Sequence, residues 1–89
     1  MAQIGQSLLR KITASPKSSQ DSIVRVSGDM DDAQDKLESA GFRIRRRLGL
    51  IKGFAVTGKG QDLQDLAAQP WVTSIEEDQQ VRTQGRSGS

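Results

Sequence analysis

Apolar and polar positions change period several times along the chain, and each change marks an element. Residues 22–27, SIVRVS, are β-branched and alternate, with Gly28 behind them, which predicts a strand. Met30, Ala33, Leu37 and Ala40 then recur at helical spacing. Asp29 stands where an N-cap belongs, Asp31 and Asp32 fall in the first turn, where the helix dipole favours negative charge, and Gly41 supplies a stop. In residues 42–48, FRIRRRL, the pattern alternates again, Phe42, Ile44 and Leu48 against Arg43, Arg45 and Arg47. Residues 49–53, GLIKG, read as a hairpin connection, and residues 53–58, GFAVTG, as a strand with Phe54 and Val56 on one face. Leu63, Leu66 and Ala67 form a second helical stripe that Pro70 closes. The last strand is VTSIEE, residues 72–77; the three-residue step from Val72 to Ile75 means either a bulge between them or a Val72 that precedes regular pairing.

The order β-α-β-β-α-β places the chain in the α+β class, with a ferredoxin-like four-stranded antiparallel sheet carrying two helices on one face. The other face is left open, to be solvated or to bind something. The expected core is Val24, Val26, Ala33, Leu37, Phe42, Ile44, Leu48, Phe54, Val56, Leu63, Leu66, Val72 and Ile75. Burial of that set only about offsets the ordering entropy of so short a chain, which predicts a small stability margin. Ahead of the sheet, Ile4, Leu8, Leu9 and Ile12 can line one side of a short helix, followed by the Ser-rich TASPKSSQ. That segment reads either as a docking helix or as a frayed extension. The expected organisation is a flexible or helical leader over residues 1–20, a domain over 21–79 and an extended tail over 80–89.

Composition narrows the chemistry. With 89 residues the chain fits one small domain. It has no cysteine and no histidine, which removes disulfides, thiolate metal sites, the usual zinc ligand and the usual general base. The expectation is a binding protein, not an enzyme, with no metal and no cofactor. The net charge of +2 is too small to be a nucleic-acid signal by itself. No apolar run has membrane-spanning length and the first residues lack a secretory apolar core, so the chain reads as a soluble, cytoplasmic monomer that does not touch membranes, or as a secreted one if it is a processed fragment. Arg25, Arg43, Arg45, Arg46, Arg47 and Lys52 allow a second reading, a nucleic-acid-binding module using the basic strand over residues 43–47. Against it, Phe42 and Phe54 lie on apolar sides and offer no stacking platform, while charges on an edge strand deter aggregation.

Residues 22–84 resemble the propeptides of subtilisin-like serine proteases and the small stand-alone propeptide-like inhibitors of those enzymes. The resemblance is carried by SIVRVSG, by AGFRIRRRLGLIKGFAVTG across the central hairpin, by LQDLAAQPWV, and most specifically by the run from LAAQPWVTSIEED to VRTQ. It implies an inhibitor, and a folding chaperone by the same contact, of a subtilisin-like serine protease. The open sheet face would pack on two parallel surface helices of the protease. Glu76 and Asp78 would cap the N-termini of those helices, and Glu77 would point away. Val81, Arg82, Thr83 and Gln84 would lie in the substrate cleft as an added strand, Gln84 just before the scissile position and Val81 in the apolar subsite three residues earlier. The chain departs from the family by continuing through residues 85–89, which shifts the register of the reactive residue by up to one or two positions, and by the leader, which does not align.

Overall fold

The computed structural model describes residues 2–78. Among them, five strands and three α-helices follow one another: β1 (Gln3–Ile4), α1 (Gln6–Ala14), β2 (Ser19–Val26), α2 (Met30–Ser39), β3 (Arg43–Leu48), β4 (Gly53–Lys59), α3 (Gly60–Ala67) and β5 (Val72–Glu77). The fold is mixed α and β, with one sheet in the order β1-β5-β2-β4-β3. Pairing is antiparallel throughout except between β1 and β5, which run parallel. The expected four strands and two helices are therefore five and three.

The extra elements come from the expected leader. Leu8 and Ile12 of α1 are fully buried in the same apolar cluster as Val24, Leu37, Phe54, Val56, Leu63 and Ile75. The step from α1 into β2 is fastened to α3, since the Gly60 amide donates to the Ser18 carbonyl and the Gln61 amide to the Pro16 carbonyl. Gly60 allows this close approach: a Cβ there would lie 3.2 Å from the Ile12 side chain. β2 begins at Ser19, so the strand runs across the expected division at residue 20.

Register explains which side chains meet the helices. Val24 pairs with Phe54 on one side and Ile75 on the other, and Ser22 with Val56. Opposite residues share a face, so these point to the helices, while Asp21, Ile23, Arg25, Ala55, Thr57, Ser74 and Glu76 point the other way. Two bulges break the alternation. In β5, Ser74 pairs with Arg25 but Val72 with Val26, which leaves Thr73 as the extra residue and lets both Val72 and Ile75 reach the core. In β3, Ile44 pairs with Val56 and Arg46 with Ala55, so Arg45 is the extra residue. After that bulge Arg47 turns to the helix side, where its Nη1 donates to Asp31 Oδ1 at 2.7 Å and to Gln34 Oε1 at 3.1 Å. Leu48 accordingly leaves the core face, and it and Ile44 are only half-buried. The helix side of β4 is tight: a Cβ on Gly58 would come within 2.3 Å of the Phe42 ring. A 3₁₀ turn over Gly49–Ile51 closes the β3–β4 hairpin, with Lys52 in the left-handed region at φ 52° and Leu50 fully exposed.

Candidate functional site

All three described helices bury their apolar sides in one cluster, so among the described residues the opposite face of the sheet carries no helix. Its middle is small: Gly53, Ala55 and Thr57 line that side of β4. Ala55 is nevertheless fully buried, in register with Ile23 on one neighbour and Arg46 on the other.

At the end where β5 finishes, this face holds a charged network. The bulge turns Arg45 inward across β4 and β2. Its Nη2 donates to Asp78 Oδ2 at 2.7 Å, and its Nε lies 3.8 Å from Asp21 Oδ1. Thr57 Oγ1 donates to the same Asp21 oxygen at 2.7 Å, and the Asp78 amide donates to the Asp21 carbonyl at 3.1 Å. The network thus joins residues of β2, β3 and β4 to Asp78 at the end of β5, and the Asp78 side chain is only 4% exposed against 27% for Arg45 and 49% for Asp21.

The two acidic positions singled out in the sequence have different surroundings here. Glu76, opposite Ile23, is exposed on the open side. A recess of about 550 Å³ lies beside it at the β1 edge, lined by Ile4, Gln6, Leu9 and Ser74. Gly5 also lines it, and a Cβ there would sit at ordinary contact distance, 3.7 Å, from Glu76 Cγ. Asp78 shares the open side with Glu76 but is buried beneath Arg45. Glu77, between them, turns to the helix side, where Lys11 Nζ of α1 donates to its Oε2. Val81, Arg82, Thr83 and Gln84 lie outside the described residues.

In the sequence Arg45 stands out only as one of a run of basic residues, and Asp21 and Thr57 not at all. Asp21 and Thr57 carry no local motif, and RIRRRL gives no sign that its third residue is a bulge. Lys11 is equally silent, because its partner comes from the far end of the chain. No group of three acidic, histidine or cysteine side chains that could hold a metal occurs among the described residues. No described helix is long and apolar enough to cross a membrane. Compared with known proteins, the chain matches no family model and no curated protein.

Proposed function

We propose that the protein is an inhibitor of a subtilisin-like serine protease, built on a ferredoxin-like unit formed by β2-α2-β3-β4-α3-β5 and extended at its edge by β1 and α1. The observation that carries this reading is the helix-free sheet face that ends, at the exit of β5, in an exposed carboxylate beside a recess. A flat face with small residues along its centre suits packing against helices of a partner. A helix N-terminus in that partner offers unsatisfied amides and about half a positive charge, and Glu76 is the carboxylate available to meet it. Asp78 enters in a second role: tied to Arg45 and Asp21, it holds the end of β5 in place. Val81, Arg82, Thr83 and Gln84 are then the segment offered to the substrate cleft, by strand addition.

The nucleic-acid reading is weakened by the same geometry. Arg45 and Arg47 are engaged by Asp78 and Asp31. Phe42 and Phe54 are buried on the helix side, so neither offers its ring to a base on the open face.

The test is a titration of the full chain against a subtilisin-type protease acting on a chromogenic peptide. Competitive inhibition at or below micromolar concentration is expected, with the intact chain recovered by mass spectrometry. Absence of inhibition together with rapid digestion of the chain overturns the proposal. Glu76→Ala should raise the inhibition constant roughly ten- to hundredfold, the equivalent of one charge-assisted hydrogen bond of about 1.5–3 kcal/mol. An unchanged constant removes Glu76 from the contact.

A further inference from the structure

The helix side of the molecule carries a second surface that the inhibitor reading does not use. A groove of about 700 Å³ is lined by residues of α2 and α3 and of the segments that follow them. Phe42, Leu66 and Trp71 form its apolar floor, and Asp35, Asp62 and Asp65 stand along it. None of these three carboxylates has an ion-pair or hydrogen-bond partner among the described residues. The contrast with the other face is plain, since there Asp21 and Asp78 are both engaged by Arg45. A chain of net charge +2 thus lines one apolar furrow with three carboxylates against one ammonium, that of Lys36. The furrow already attracts a cation: Lys36 Nζ sits over the Trp71 ring, 5.3 Å from its centroid.

We propose that this groove binds a short basic peptide segment of a partner protein, an arginine or lysine stem lying on the Phe42, Leu66 and Trp71 floor with its cation among Asp35, Asp62 and Asp65. The chemistry is complementary on both counts. Long cationic side chains bury their methylenes along apolar surface and keep the charge at the rim. Several carboxylates along an apolar floor favour cations over neutral or anionic segments and draw them in at low salt. Lys36 competes for the same ring, so its removal should favour the incoming cation. This surface lies on the side of the sheet opposite Glu76, so occupancy here and protease binding there are separable.

Trp71 is the only tryptophan, so its emission reports the groove directly. The probe is an acetylated, amidated Arg-Leu-Arg-Arg peptide titrated into the full chain at low salt, with Glu-Leu-Glu-Glu as control. The basic peptide should give a saturable change in Trp71 emission, and the acidic one none. The D35N/D62N/D65N variant should weaken binding at least about tenfold, and K36M should tighten it by about two- to fivefold. Added salt should weaken binding to the parent chain far more than to the triple variant. No saturable change, an equal response to the acidic peptide, or unaltered affinity in the triple variant would overturn the proposal. It also fails if the free chain self-associates in a way the triple variant abolishes, because a second copy is then the occupant. A shift in the free chain's Trp71 emission on replacing Arg82 and Arg86 by Gln, matching that of the triple variant, would assign the groove to the chain's own end. Circular dichroism of each variant confirms that it is folded.

Discussion

Arg45 is the residue on which the open face turns. Of the arginines on the strand over residues 43–47, this one covers a carboxylate that is 4% exposed, whereas Arg47 pairs with one that is 78% exposed. Removing one partner of a buried pair leaves the other desolvated without its counter-charge, a loss of about 3–5 kcal/mol when both are deep. Arg45 retains 27% exposure, so water screens part of the loss, and Arg45→Ala is expected to cost about 2–3 kcal/mol in urea unfolding. Asp78→Asn in the Arg45→Ala background should recover part of it. The comparison is Arg47 with Asp31, whose side chains are 45% and 78% exposed. That pair should contribute no more than about 1 kcal/mol and fade in high salt. Equal losses for Arg45→Ala and Arg47→Ala would mean that the Asp78 network does not hold the end of β5.

The elements differ in how far local sequence could disclose them. The N-cap of α2 was readable because it is a local bond: the Asp32 amide donates to Asp29 Oδ2 at 3.3 Å. β5 was readable down to its bounds, since VTSIEE sits between Pro70 and a polar run. Of the stripe Ile4, Leu8, Leu9 and Ile12, the last three fall in α1 while Ile4 falls in β1; the pattern announced a helix, but neither its start nor its destination. Whether such a stripe packs depends on a surface formed elsewhere, here the start of α3, where Gly60 admits Ile12. The bulge at Arg45 was hidden for the opposite reason: a run of similar arginines looks the same in either register, and only pairing with β4 decides which one is extra. The packing of α1 makes a prediction of its own. Leu8→Ala and Ile12→Ala should each cost about 2–5 kcal/mol, because both side chains are fully buried. Leu9→Ala, at a site 38% exposed, should cost less than about 1 kcal/mol. Gly58→Ala should cost about 1–3 kcal/mol through its contact with the Phe42 ring. Three equal, small losses along α1 would show that the helix does not pack as described.

For the molecule as a whole, the decisive fact is that one apolar cluster runs from Leu8 to Ile75. β1 lies parallel to β5, the Gly5 amide donates to the Ile75 carbonyl, and Lys11 reaches Glu77, so the first and last elements hold each other. A chain of this size has little stability to spare, typically about 5–15 kcal/mol and at the lower end for a thin core. Burying Leu8 and Ile12 supplies about 1.5–3 kcal/mol each, a large share of such a margin. Removal of residues 1–18 should therefore unfold the protein or lower its melting point by more than about 10 °C, where loss of an independent leader would leave it unchanged. In the full chain, unfolding followed by Trp71 fluorescence and by far-ultraviolet circular dichroism should coincide, because Trp71 reports the start of β5 and the dichroism reports the helices, α1 among them. If the dichroism loses amplitude well before Trp71 responds, α1 melts separately and the edge beside Glu76 is not held by the core. That outcome would also change what a partner meets there, since the recess between α1 and β5 exists only while α1 is docked.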